Sequence, residues 1–297
     1  MMNKTEKFLD TTVKFINLVA KVLPDDVVER LKLLREKETV TMSKAIYDSM
    51  FENLEKAVSL DRPICQDTGV IQFFVRVGTK FPLIDEIGDL LYKATLEATE
   101  KVPLRHNAVE TFVEKNTGTN TGKKVPYIDY EIVPNSSNLE MDVYMAGGGC
   151  SLPGRSTVMM PSAGYEGIAG FVAETMVNWG INACPPLVVG VGIGTCVASA
   201  AKLAKKASLR RVGSRNPEPK AAEMEEALEK ALGNIGIGAQ GLPGKSGVLC
   251  VNIENMARHP SALGAAVSFG CWAHRRGTIS FDKNMNYTLL DHKGVTL

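Results

Sequence analysis

From Thr5 to about Leu60 the apolar positions recur every three or four residues: Phe8, Val13, Ile16 and Val19, then Val28 and Leu31, then Ile46, Met50, Leu54 and Ala57. That spacing matches one face of an α-helix and predicts three amphipathic helices. Pro24 interrupts the first run, Asp25 and Asp26 can cap a second helix, and Thr39 or Thr41 can start a third. With no chemistry clustered on them, they read as scaffold or subunit-contact helices.

The pattern changes after Asp61. VIQFFVRV, Val70 to Val77, is dense in β-branched and aromatic residues and predicts a strand, followed by a helical run from Pro82 to Lys101. YIDYEIV (Tyr127 to Val133) and LEMDVYM (Leu139 to Met145) alternate apolar with polar residues across the turn-forming PNSSN, which predicts an antiparallel hairpin. A helix over Gly164 to Trp179, an apolar strand PLVVGV and an alanine-rich helix from about Thr195 to Ser208 follow. PKAAEMEEALEKAL, Pro219 to Leu232, reads as a helix with a solvated face, and the tail from Gly247 as mostly short strands. No repeat or linker divides the body. The expected fold class is α/β: a helical N-terminal layer over 1–60 followed by a mixed α/β body, in a single domain over 1–297.

Composition narrows the function classes. Of 297 residues 44% are hydrophobic and 23% charged, enough for a large buried core. With 34 Lys and Arg against 33 Asp and Glu, the net charge of +1 creates no bulk field for nucleic acid or an anionic membrane, and neither is expected as a partner. No stretch of 18 apolar residues occurs, and MMNKTEKFLDTT lacks the apolar core and cleavage site of a secretory signal, so a cytoplasmic location is expected. Cys65, Cys150, Cys184, Cys196, Cys250 and Cys271 are too sparse for a disulfide scaffold. Each is a buried small hydrophobe, a metal ligand or a reactive thiol.

GVGIGT, Gly190 to Thr195, lies between a predicted strand and helix and invites a dinucleotide reading. It departs from G-x-G-x-x-G because Thr195 takes the third glycine position, and Arg210 and Arg211 lie downstream where an acidic residue is needed. Close packing of strand on helix is the expectation. Cys65 in RPICQDTG, Cys184 in NACPPLVVG and Cys271 in FGCWAHRRG each sit beside turn formers or polar groups, whereas Cys196 and Cys250 read as core. There is no C-x-x-C, so a metal site would have to gather ligands from distant loops.

RPICQDTG, NTGTNTGKKVPYIDYEIV, MAGGGCSLPGRS, NACPPLVVGVGIGT, RHPSALG and GCWAHRRG occur in one order over nearly the whole chain. Together they resemble the iron-sulfur hydro-lyase family of class I fumarases and tartrate dehydratases. The resemblance implies a 4Fe-4S cluster held by Cys65, Cys184 and Cys271, with one open iron able to act as a Lewis acid. It implies catalytic roles for Asp67 and His259 and substrate contacts from Gln66, Arg105 and the backbone of Gly148. AGGGC, with Cys150 after the glycines, resembles the tartrate-specific members more than the fumarases. In single-chain members a C-terminal domain completes the site. A chain ending at Leu297 is expected to leave that part to a separate β subunit, in an α2β2 assembly with an α–α contact. The expected reaction is elimination of water from a C4 hydroxy-dicarboxylate, L-tartrate to oxaloacetate. Fumarate/malate interconversion and a non-catalytic cluster-bearing regulatory subunit are the alternatives.

Overall fold

A computed structural model describes residues 2–297. The chain divides into two compact units, each discontinuous in sequence: Met1–Asp25, Glu52–Gly147 and Arg275–Leu297 form the first, Asp26–Phe51 and Gly148–His274 the second.

In the first unit, α1 (Lys4–Lys21) begins in a capping box, with Asn3 Oδ1 accepting from the Glu6 N–H at 2.8 Å and the Glu6 carboxylate accepting from the Asn3 N–H at 2.9 Å. Its apolar face meets a core of Phe8, Phe15, Ile16, Phe73, Val75, Leu91, Met141, Val143, Ile279 and Phe281. The sheet here contains β1 (Val70–Gly78), β4 (Tyr127–Val133), β5 (Leu139–Ala146), β10 (Arg276–Phe281) and β11 (Tyr287–Leu289), in the order β11-β10-β5-β1-β4. A two-residue ribbon, β2 (Val109–Glu110) with β3 (Lys115–Asn116), stands apart from that sheet.

The expected hairpin of Tyr127–Val133 with Leu139–Met145 does not form. β4 pairs in parallel with one edge of β1, from Gln72↔Tyr127 to Gly78↔Val133, while β5 pairs antiparallel with the other, from Val70↔Ala146 to Val77↔Leu139. β1 buries Ile71, Phe73, Val75 and Val77 on one face and lies inside the sheet between β5 and β4, so both of its edges are hydrogen-bonded. PNSSN therefore crosses the end of β1, so close that a Cβ on Gly78 would stand 2.2 Å from the Ser136 carbonyl oxygen. The helical run expected from Pro82 starts only at Ile87, as α4 (Ile87–Lys101). Residues 82–86 form turns, with Ile84 N–H donating to Phe81 O and Glu86 N–H to Leu83 O.

The second unit is built on β6 (Arg155–Met159), β7 (Leu187–Gly194), β8 (Val248–Asn255) and β9 (Leu263–Gly270), ordered β6-β9-β7-β8. Its helices are α6 (Gly164–Trp179), α7 (Val197–Leu209) and α8 (Pro219–Gly233), joined by the N-terminal α2 (Asp25–Lys37) and the first part of α3 (Thr41–Ser59). The three N-terminal helices form as expected, shared between the two units. Arg30 of α2 donates from Nε to the Leu249 carbonyl at 2.7 Å and from Nη2 to Glu229 at 2.5 Å, and Tyr47 of α3 donates to the Ser246 carbonyl at 2.7 Å. Glu225 is fully buried on the face of α8 that also buries Leu228 and Leu232, and it accepts from Arg210, the Asn216 N–H and the Ile253 N–H.

GVGIGT is a packing device. A Cβ on Gly190 would lie 2.2 Å from the Ala204 carbonyl oxygen, and one on Gly192 would lie 2.0 Å from that of Ala200. The glycines let α7 lie directly on β7, and no phosphate is needed to explain them.

Candidate active site

In the first unit, the Cys65 loop is pinned by its neighbour: Ile64 N–H donates to the Ala20 carbonyl at 3.0 Å, and the Ile64 carbonyl accepts from Asn53 Nδ2 at 2.8 Å. Cys65 and Asp67 are half-buried and Gln66 is exposed. Asp67 Oδ1 accepts from the Gly69 N–H at 3.1 Å, closing a turn that needs glycine, since Gly69 has φ +81° and a Cβ would meet the Ala146 backbone at 2.7 Å. The other carboxylate oxygen abuts Gly147: a Cβ there would stand 2.8 Å from Asp67 Oδ2 and 3.9 Å from Arg275 Nη2. The first glycine of AGGGC thus leaves room for the Asp67 carboxylate.

Arg105 presents an exposed side chain from a rigid backbone. Its N–H donates to Thr68 Oγ1 at 3.0 Å, and its carbonyl accepts from Asn120 Nδ2 at 2.9 Å. Buried Asn120 also accepts from the Asn107 N–H at 3.0 Å, and Asn107 Nδ2 reaches the Gly69 carbonyl at 3.2 Å. The first unit therefore brings Cys65, Gln66 and Asp67 onto one loop and laces that loop to Arg105. Thr68, Asn107 and Asn120 do the lacing. None of the three has a role readable from the sequence: Thr68 lies within RPICQDTG and Asn120 within NTGTNTG, and neither string shows that they meet.

In the second unit, Cys184 follows a 3-10 turn (Gly180–Ala183) and is exposed, in the left-handed conformation at φ 55°, ψ 74°. Its carbonyl accepts from the Trp272 N–H at 3.1 Å, which holds the Cys184 turn against the residue next to Cys271. Cys271 is buried, with its Sγ 3.4 Å from the Ala273 carbonyl. Gly148, exposed, opens a one-turn helix, α5 (Gly148–Ser151), which approaches the same turn so closely that a Cβ on Gly149 would meet the Asn182 carbonyl at 2.6 Å. This unit thus brings the loops of Gly148, Cys184 and Cys271 together. His259 is exposed on the β8–β9 connection, where its Nδ1 accepts from the Ser261 N–H at 3.1 Å.

The remaining cysteines divide. Cys250 is fully buried, as expected, and Cys150 is buried. Cys196 is not core: it is exposed at the N-cap of α7, and hydrogen bonds from the Ser199 N–H, the Ser199 side chain and the Ala198 N–H pull its thiol down to about 7. The helix start expected at about Thr195 lies here, but the pattern does not show that the cap residue is exposed. Burial pushes the Lys205 ammonium down to about 8, against the opposing influence of Cys150. His274 is buried with its Nε2 2.8 Å from the Ser208 carbonyl, a structural role.

Among the described residues no three His, Cys, Asp or Glu side chains converge tightly enough to grip a single metal ion. A four-iron cube makes a different demand, because its thiolates stand at separate corners. The donor set suits it: all six cysteines are thiols, and Cys65, Cys184 and Cys271 lie on loops pinned by backbone hydrogen bonds. Arg275 supplies a second sign. It is 1% exposed, and its Nε and Nη1 have no hydrogen-bond partner among the described residues, so a cationic donor awaits an anion beside Asp67.

The sequence model of the family described as "Fumarate hydratase (Fumerase)" matches residues 9–280. The L(+)-tartrate dehydratase subunit alpha of Escherichia coli (strain K12) is 54% identical over 286 residues, covering 96% of this chain and 94% of the relative. The proteins of that name from Escherichia coli O157:H7 and Shigella sonnei (strain Ss046) match with the same identity and coverage. The glycine-seated Asp67, the laced Arg105 loop and the paired Cys184 and Cys271 turns are thus set in a chain that belongs to the fumarate hydratase (Fumerase) family.

Proposed function

We propose that this chain is the cluster-bearing α subunit of a hydro-lyase that converts L-tartrate to oxaloacetate and water, acting with a separate β subunit in an α2β2 assembly. The observation that carries the reading is the combination of three loop-borne thiols with an anion-seeking arginine and a seated carboxylate. Relatives named as tartrate dehydratase α subunits, similar over nearly their whole length, support the substrate and the existence of a partner. The reading places the protein in the cytoplasm, where its six cysteines stay reduced.

Cys65, Cys184 and Cys271 would hold a 4Fe-4S cluster through three thiolates. When bound, that group supplies a Lewis-acidic iron at which a hydroxyl can leave. The chain's own residues do the rest. Arg105, on its locked backbone, offers a planar fork to one substrate carboxylate. Gly148 offers a backbone N–H to the substrate without a Cβ in the way. Gln66 orients the substrate's polar end beside Cys65. Asp67 is assigned proton transfer at the departing hydroxyl, its carboxylate held by the Gly69 N–H and set against Gly147. His259 is assigned as the proton partner of Asp67, and the β subunit as the source of the base that takes the carbon-bound proton.

Anaerobic reconstitution with iron and sulfide tests the assignment. Cys65→Ser, Cys184→Ser and Cys271→Ser each lose the cluster, while Cys250→Ser keeps it. Retention by any of the three, or loss in Cys250→Ser, refutes the ligand set. With the β subunit added, L-tartrate turns over faster than malate. A malate or fumarate rate far above the tartrate rate makes the chain a fumarase subunit, the reading favoured by the family description itself.

A further inference from the structure

Arg275 marks a place for an anion but takes no step in the chemistry above. It is among the largest fully buried side chains, and its Nε and Nη1 N–H groups meet no acceptor among the described residues. Its neighbour shows the contrast: Arg276, equally buried, donates from Nη1 to Asp291 Oδ2 at 3.0 Å. A guanidinium keeps its charge at any working pH, and a buried charge is tolerated only when an opposite charge or acceptors surround it. Its place is specific. Arg275 Nη2 and Asp67 Oδ2 flank the same point over Gly147, and Arg275 follows Cys271 by four residues.

We infer that Arg275 is a cluster-positioning residue whose Nε and Nη1 donate to the anionic assembly formed by the thiolates and their iron-sulfur core, and not to the substrate. The inference rests on the cluster reading proposed above. Two arguments separate cluster from substrate. A dicarboxylate enters from water and returns to it at every turnover, so the groups that grip it must be reachable, as exposed Arg105 is; a side chain at 1% exposure suits a resident anion. Nε and Nη1 also lie on different edges of the guanidinium. A single carboxylate takes two parallel N–H groups from one edge and cannot span both, whereas a sulfur cage with its thiolates offers several acceptors. Donors to cluster sulfur stabilise the more negative, reduced state and resist loss of iron.

The test uses the full chain, cluster-free and reconstituted anaerobically with iron and sulfide, as wild type, Arg275→Met and Arg275→Lys. Cluster-free Arg275→Met unfolds at a higher temperature than cluster-free wild type, because an unmatched buried charge is gone. After loading the order reverses: Arg275→Met releases iron to a chelator about tenfold faster than wild type, and its cluster is reduced at a more negative potential. Arg275→Lys retains charge and falls between. In the complex with the β subunit, KM for L-tartrate stays within about twofold in both variants. A lower unfolding temperature for cluster-free Arg275→Met shows that the chain itself satisfies the guanidinium and overturns the proposal. Unchanged iron release and potential with a raised KM overturn it in favour of a substrate role. Wild type that binds no iron or sulfide overturns the cluster reading and this inference together, whereas normal loading with no effect of either substitution overturns only this one.

Discussion

Asp142 on β5 should make the first unit less stable as the pH rises, and Asp142→Asn should remove that dependence. Thr278 Oγ1 lies 2.7 Å from Asp142 Oδ1 and 2.8 Å from Asp291 Oδ2. A hydroxyl has one proton to donate, so it serves one carboxylate, and the other binds it best by bringing a proton of its own. Asp291 has a cationic partner as well, since Arg276 Nη1 donates to it at 3.0 Å, whereas Thr278 is the hydrogen-bond donor at Asp142. Burial first, then the charges of Asp291 and Glu140, push the Asp142 carboxyl up to about 6, against the pull of Thr278 and Arg276. The folded state therefore binds this proton more tightly than the unfolded chain, whose ordinary value is 3.8. The contribution is whole below about pH 4 and is lost as the pH rises through about 6. A difference of about two pH units corresponds to about 3 kcal/mol, and to about 2 kcal/mol once water reaching the half-buried carboxylate is allowed for. The amide introduced by Asp142→Asn carries no charge and still accepts from Thr278. Urea unfolding of the cluster-free chain, followed by circular dichroism between about pH 4 and about pH 7.5, should show the two proteins together at the acid end. Near neutrality Asp142→Asn should be the more stable by about 2 kcal/mol. A variant less stable than wild type near neutrality, or two curves with the same pH slope, would refute the reasoning.

Gly192→Ala drives a methyl into the backbone of α7 at 2.0 Å from Ala200 O and should destabilise the chain by about 3 kcal/mol or more, whereas Gly170→Ala, with nothing within 4 Å on α6, should stabilise it by about 0.5–1 kcal/mol. Urea midpoints of the pair decide this, and equal effects would refute the close-packing account of β7. Gly147→Ala displaces Asp67 Oδ2 and should lower kcat at least about tenfold in the complex while leaving the iron and sulfide content unchanged. Asp67→Asn, which preserves the shape and the Gly69 hydrogen bond, should lose turnover further without losing the cluster; full activity in that variant would remove Asp67 from proton transfer.

Local pattern carried much of this fold. The three-to-four-residue apolar spacing before Leu60 located α1, α2 and α3 because a helix exposes its burial pattern directly in sequence, and the glycines of GVGIGT read correctly as strand-on-helix packing because their lost side chains have one simple use. Alternation identified the strands Tyr127–Val133 and Leu139–Met145 but paired them wrongly. A period of two reports which face is buried and says nothing of which edge finds which partner, so only the assembled sheet could insert β1 between them. The site divides in the same way. Turn formers and polar neighbours in RPICQDTG drew attention to Cys65, while the roles expected of Gln66 and Asp67 came only with the family resemblance. The exposure of Cys196, the support given to Arg105 by Asn120, and the burial of Arg275 beside Gly147 depend on contacts between residues remote or unremarkable in the chain. Burial of a polar group is a property of everything that surrounds it, and only the tertiary structure assembles those surroundings.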